Sequence, residues 1–452
     1  MTKDMTTGSP VKLILYFSIP LLIGNIFQQF YSMVDTIIVG RFLGVDALAA
    51  VGSTGSLSFL IIGFVLGLTS GFSVLVSQRF GANDEEGIKK ATGSAIILSF
   101  IFIVIITIVS LILAKPLLTL MKTPSNIIND AYSYIIVIFC GIFATFLYNV
   151  MASLLRALGD SKTPLYFLIV SSILNIILDL VFIVNFNMGV AGAAYATVIS
   201  QAISGILCVI YTSKKFPVLK LEKRHLKYDK EYISQHIKIA VPMAVQFSII
   251  AFGTIILQTA VNGFGSTVVA ANTAAAKVEQ LVMQPGISFG LTMATYCAQN
   301  LGAGNYDRIK EGVKKCAMIN IGIGIVAGAI LIFFGRNFTQ MFVADGNPEV
   351  IEIAQQYLTT VGLFFVPLNM IFIYRNALQG MGHTLVPMMS GIYELVARSV
   401  GAFTFPYVLG YVGVCLAGPF AWIAAAVPLT IEYYKRIKSL GDIIEDCSLN
   451  EI

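Results

Sequence analysis

The sequence predicts an all-α polytopic membrane protein: about twelve transmembrane helices in two six-helix pseudo-symmetric lobes around a central cavity. Three observations carry that prediction. Only 12% of the 452 residues are charged and 57% are hydrophobic, with a mean hydropathy of +0.83, whereas about a quarter of a soluble domain is charged. Apolar runs of about 20 residues, each long enough to cross a bilayer, recur along the whole chain. The second half also repeats landmarks of the first at a steady offset.

In chain order, length and hydropathy place the spans at 12–37, 46–78, 88–114, 127–156, 163–185, 189–213, 237–262, 267–299, 308–334, 349–380, 384–409 and 412–435. Several exceed the membrane thickness, so tilt or protruding ends are expected. Met1 to Pro10 is short and polar, without a cleavable signal pattern. With the N-terminus inside, the outer loops hold only Arg41, Lys115, Lys122 and Arg336. The inner side collects Arg79, Lys89, Lys90, Arg156, the run Lys214 to Lys238, Arg308, Lys310, Lys314 and Lys315. That asymmetry predicts a multi-pass plasma-membrane protein with both termini cytoplasmic. The net charge of +5 is spread over these short loops, so no nucleic-acid partner is expected.

The duplication shows in matched landmarks. Ile19-Pro20 recurs as Val241-Pro242, and Gly44 with Ala49-Ala50 recurs as Gly265 with Ala270-Ala271. Gln78-Arg79-Phe80-Gly81-Ala82 recurs as Gln299-Asn300-Leu301-Gly302-Ala303, and Gly159 with Pro164 recurs as Gly382 with Pro387. The offset stays near 221–223 residues, as an internal repeat requires. The charged stretch between the copies is read as a linker. The expected organisation is an N-terminal lobe (1–213), a cytoplasmic linker (214–236), a C-terminal lobe (237–435) and a cytoplasmic tail (436–452). Six spans per half insert in the same orientation, related by an axis along the membrane normal. Gly63, Gly67 and Gly71 of the second span sit four apart, a small-residue ridge for close helix contact.

Chemistry concentrates in the fifth span. Asn175 and Asp179 lie four residues apart in an otherwise apolar run, so they share one helix face. An ionisable group in a membrane helix costs at least ~2.5–3.5 kcal/mol and marks a functional site by default. A second acid, Asp35, lies in the first span. Spans one, five and six hold no Lys or Arg in their interiors. A buried unpaired carboxyl group there is expected to hold a proton near neutral pH, or several oxygens could bind a hard cation such as Na⁺. Asp35 lies near the outer end of its span, where capping a helix end or touching headgroup water is an equal alternative.

The second half carries a different set: Lys277 and Glu279 in the eighth span, Glu394 and Arg398 in the eleventh. Glu394 and Arg398, four apart, can pair along one face. Their balanced signs suit fixed packing or a wet cavity lining as well as ligand binding. Arg375 is expected to snorkel from the inner end of span ten to the cytoplasm. The six cysteines and three histidines show no metal-ligand spacing, and no phosphate-binding glycine loop is present. No cofactor is expected beyond a coupling ion.

The twofold set of six spans, SIPLLIGNIFQQFYSMVDTIIVGRFLG at the start, VSQRFGAND and CAQNLGAGN in equivalent inner loops, and LLRALGDSKTP in another together resemble the MATE (multidrug and toxic compound extrusion) transporters. Within that family the chain is similar to the DinF-like branch. The resemblance implies that Asp35 and Asp179 are the coupling acids. It implies that Tyr31, Tyr134, Asn175 and Thr197 support them, and that Pro20 is a bend-forming hinge. The NorM-like pattern of acids in spans seven, eight and ten is not met: span seven has none, and Glu349 and Glu352 sit at the outer end of span ten.

At ~1.5 Å per residue, Asp179 and Thr197 lie about 9 and 12 Å from the outer ends of their spans, with Tyr134 at similar depth. The polar set can therefore converge in the outer half of the first lobe. The expected function is a cation-coupled (H⁺ or Na⁺) antiporter, acting as a monomer, that exports amphipathic and often cationic or polyaromatic compounds by rocker-type alternating access. A lipid-linked oligosaccharide flippase of the same superfamily is the alternative; the acidic first-lobe site argues against it. An intramembrane enzyme would need a nucleophile–base or metal constellation, which the spans lack. Export against a gradient would separate a transporter from a channel.

Overall fold

A computed structural model describes residues 4–121, 123–342 and 347–449; Lys122 lies outside them. The helices of the first half are Pro10–Leu43 (α1), Val45–Ser53 (α2), Gly55–Gly81 (α3), Glu85–Leu120 (α4), Ile128–Cys140 (α5), Ile142–Ala157 (α6), Lys162–Leu180 (α7) and Gly189–Lys215 (α8). Those of the second are Lys230–Asn262 (α9), Ser266–Val282 (α10), Gln284–Gly302 (α11), Tyr306–Gln340 (α12), Pro348–Gly362 (α13), Phe365–Gly380 (α14), Leu385–Thr404 (α15), Pro406–Leu409 (α16) and Tyr411–Leu449 (α17). No strand occurs among the described residues.

Among the described residues eight helices are long and apolar enough to cross a membrane, and ten spans result when each of two bent pairs is taken as one. The bends are 46° between α5 and α6 and 53° between α13 and α14. The second has a local cause. Pro367 lacks an N–H and its ring clashes with the carbonyl of Leu363, where the helix breaks. Two predicted spans remain, α10 with α11 and α15 with α16. Lys277, Glu279, Glu394 and Arg398 fall in these, which lowers their apolarity.

The chain forms two compact units. One takes in Ile23–Ser248; the other takes in Met5–Leu22 and the described residues from Ile249 onward. The first part of α1, up to Leu22, thus belongs with the second repeat and the first part of α9, up to Ser248, with the first, a grouping that sequence order alone does not display. Packing explains both assignments. The glycine ridge on α3 receives α9: a methyl group at Gly67 would lie 2.7 Å from the Ala244 amide nitrogen, and one at Gly71 would meet Ala240. In the other unit, Ser18 on α1 hydrogen-bonds Thr292 on α11 at 2.8 Å, and Ile14, Phe17 and Leu21 join its apolar core. Outward faces are apolar as well. Phe100, Ile105, Ile108 and Ile112 on α4 are exposed, a surface suited to lipid and not to water.

Candidate cation-coupling site

The first unit gathers the predicted acids. Helix α7 buries Ser171, Ser172, Asn175 and Asp179 on one face, and Asp179 is fully buried. Immediately beyond it the helix widens into a π-helical turn, Val181–Asn185, an irregularity common at functional sites. A small apolar cluster brings α1 alongside: Val34, Ile38 and Val39 pack with Ile176, Ile183, Val190 and Ala193. These neighbours flank Asp35 on α1 and Asp179 on α7 and so fix the two acids face to face. Their carboxyl groups come within hydrogen-bonding reach of each other.

The supporting groups stand around this pair. Tyr31, one turn before Asp35, lies close to Thr197 on α8 and to both acids. Tyr134 on α5 lies close to both Asp35 and Tyr31. The Asn175 amide has two orientations. In one, Nδ2 donates to Thr197 Oγ1 at 3.3 Å. Turned over, Nδ2 donates to Asp179 Oδ2 at 3.3 Å while the amide oxygen accepts from the Thr197 backbone N–H at 3.3 Å. The second satisfies both ends of the amide and is adopted here. All six residues named from the sequence therefore lie in one cluster, in which Asp35, itself half-buried, faces Asp179.

Two features define what this cluster can do. Oδ1 of Asp35 and Oδ1 of Asp179 are both buried without a hydrogen-bond partner among the described residues. No ion pair among those residues involves either acid. Buried acceptors without donors are costly, and a small cation placed between them removes the cost. No group of three or more His, Cys, Asp or Glu that could hold a metal ion occurs among the described residues.

The charges of the second unit are arranged differently. Glu394 accepts from Arg398 Nη2 at 2.6 Å with one oxygen and from Arg375 Nη2 at 3.2 Å with the other. Arg375 does not snorkel: only 6% of it is exposed, because an acid on α15 holds it within the protein. Glu279 on α10 accepts from Tyr357 OH on α13 at 2.8 Å and lies within the field of Arg398. Lys277 is exposed and forms no ion pair among the described residues. Arg375 and Tyr357 thus join Glu279, Glu394 and Arg398 in this cluster.

Sequence reasoning also missed a polar link in the first unit. Thr145 on α6 donates to Gln201 Oε1 on α8 at 2.6 Å, and Asn149 Nδ2 donates to the Thr145 carbonyl at 2.7 Å. The spacing of Thr145 and Asn149 is that of Asn175 and Asp179, which was the available signal. Pro20 is buried within an unbroken α1, two residues before the helix passes from one unit to the other.

The duplicated, all-helical membrane architecture suits a transporter, and the chain's relatives place it among transporters and not enzymes. The chain belongs to the MATE family: the MatE family model matches residues 20–181 and again 242–404, opening each time on the proline that marks the repeat. It is 32% identical to the probable multidrug resistance protein YoeA of Bacillus subtilis (strain 168), over 97% of this chain and 96% of that one. A crystal structure of MATE in complex with MaL6 matches with a TM-score of 0.91 at 25% identity, covering 98% of this chain and all of the other. A structure of MATE in the bent conformation matches with a TM-score of 0.89 at 26% identity, covering 97% and 98%.

Proposed function

We propose that this protein is a cation-coupled antiporter that exports amphipathic, often cationic or polyaromatic compounds, with H⁺ or Na⁺ exchanged at Asp35 and Asp179. The observation that carries the reading is the buried carboxyl pair without a basic partner. Two bare carboxylates within hydrogen-bonding reach repel strongly, so the pair favours holding a proton or an ion between its oxygens. Losing that cation recreates the repulsion and favours a different arrangement of α1 against α7. Binding free energy at the pair is thereby converted into a shift between conformations.

The names borne by the relatives support a drug-export role, and the cluster built on Asp35 and Asp179 supports the DinF-like assignment. Pro20 is the proposed hinge. Its ring removes a helix hydrogen bond close to where α1 changes units, about four turns before Asp35. Inner-side termini and plasma-membrane residence follow from the basic loops. A lipid-linked oligosaccharide flippase would need cationic side chains free to take a pyrophosphate. Arg375 and Arg398 are both engaged by Glu394.

The test is transport of a dye panel in proteoliposomes under an imposed pH or Na⁺ gradient. Efflux that follows one of the gradients is expected. If no compound moves under either, the antiporter reading fails.

A further inference from the structure

The segment between the repeats is a built surface. Two short 3-10 turns, Pro217–Leu219 and Lys223–Leu226, are fastened to the first unit. Phe216 and Leu219 are buried in its apolar core. His225 is also buried, with Nε2 3.3 Å from Glu86 at the start of α4, and its Nδ1 accepts from the Glu222 backbone N–H at 3.0 Å. Its carbonyl lies so close to Gly93 that a methyl group there would collide with it. This anchoring decides which side chains face away. Leu226 is 47% exposed and Tyr228 is 73% exposed, and around them Lys214, Lys215, Lys220, Lys223, Lys227 and Lys230 are all exposed.

The acids of the segment pair with none of these lysines, and they are fewer than the lysines. Glu222 accepts from Arg224 Nε at 2.9 Å. Asp229 caps α9, accepting from the backbone N–H groups of Glu231 at 3.1 Å and Tyr232 at 3.3 Å. Glu231 accepts from Gln235 at 3.1 Å. The six lysines form no ion pair among the described residues. The segment leaves the apolar helix α8 at Lys215 and enters α9 at Lys230, so it lies at a bilayer surface whichever leaflet that is. A tyrosine and a leucine among free lysines at that level match a headgroup layer, with an apolar body below and negative phosphates above.

We propose that residues 214–230 form a docking surface for anionic phospholipid headgroups, with the lysines on the phosphates and Leu226 and Tyr228 dipping toward the acyl chains. The surface stands within the first unit and does not depend on the coupling reaction at Asp35 and Asp179. The full-length protein is purified in detergent with phosphatidylglycerol and phosphatidylcholine, and retained lipids are counted by native mass spectrometry. The variants are Lys220→Gln with Lys223→Gln and Lys227→Gln; Leu226→Ser with Tyr228→Ser; and, as a basic control on α12, Lys310→Gln with Lys314→Gln. All of these positions are exposed, and equal melting temperatures verify folding. Retention of phosphatidylglycerol over phosphatidylcholine is expected, falling about fivefold or more in the triple lysine variant. It is expected to fall for both lipids in the Leu226 and Tyr228 variant and to hold in the control. Unchanged retention in the triple variant overturns the proposal. An equal loss in the control also overturns it, since any basic loop would then serve. Displacement by millimolar inorganic phosphate does the same, since it marks a free-phosphate site.

Discussion

The two repeats each bury acids, but only one leaves them open. In the first unit Asp35 and Asp179 face each other with an oxygen apiece lacking a donor and no arginine in the cluster. In the second, both oxygens of Glu394 are taken by Arg375 and Arg398, and Glu279 has the Tyr357 hydroxyl. A charge inside a membrane protein is therefore not by itself a coupling site. What matters is whether its partners complete its coordination, as the arginines do, or leave a gap that a mobile cation fills. A closed ion pair fixes helix packing and resists exchange; an open acid pair can load and unload.

The largest expected effect follows from closing the open pair. Asp179→Asn keeps the shape, and the new amide can donate to Asp35 while its oxygen still accepts from Asn175. Folding and dye binding should survive, and gradient-driven efflux should fall at least about tenfold, equal to ~1.4 kcal/mol. Asp35→Asn should show the same defect, equal or milder. Dye efflux from proteoliposomes, run beside direct dye binding, separates loss of coupling from loss of binding. Normal transport by Asp179→Asn would remove the acid pair from the mechanism.

Glu394→Gln should break the contrast from the other side. It leaves two buried guanidinium groups without their shared counter-charge, and removing one partner of a buried pair costs about 3–5 kcal/mol. The expected result is a lower melting temperature and poor expression, with the surviving protein still coupled. A variant that is stable and binds dye but cannot couple would place the ion site in the second repeat. Pro20→Ala should act more gently. It restores a hydrogen bond to α1 and stiffens the helix near its passage between units, so efflux should slow severalfold with stability unchanged. Wild-type rates would dismiss the hinge.

Much of this contrast was legible in the sequence, for a physical reason. Against an apolar background each acid stands out by its desolvation cost, and the i,i+4 spacing of Asn175 and Asp179 assigns them one face. The steady offset of the repeat likewise survives in glycines and prolines whose backbone roles few other residues can fill. Partner choice was not legible. Arg375 lies near one end of predicted span ten, where its long stem could reach water, and only the packing of α14 near α15 places it beside Glu394. The exchange of the first parts of α1 and α9 between units escaped for the same reason. The four-residue glycine spacing states that Gly67 and Gly71 will pack closely, and it does not name Ala240 and Ala244 as what they pack against.

The smallest expected effects come from two tyrosines in matching roles. Tyr31 stands close to Thr197 beside the open acid pair, and Tyr357 donates to Glu279 in the compensated cluster. Changing either to Phe deletes one hydroxyl and leaves the ring in place. A side-chain hydrogen bond within a membrane protein contributes about 0.6 kcal/mol on average, so both variants should melt within a few degrees of the wild type. Their transport should differ. Tyr31→Phe removes an oxygen from the ring of groups around Asp35 and Asp179, so the gradient needed for half-maximal efflux should rise. Tyr357→Phe leaves Glu279 facing Arg398, and efflux should keep its dependence on the gradient. Measuring efflux across a series of imposed gradients distinguishes the two, since a purely structural role would alter the amount of active protein without moving the half-maximal gradient. If Tyr357→Phe moves that midpoint and Tyr31→Phe does not, the open site has been assigned to the wrong repeat.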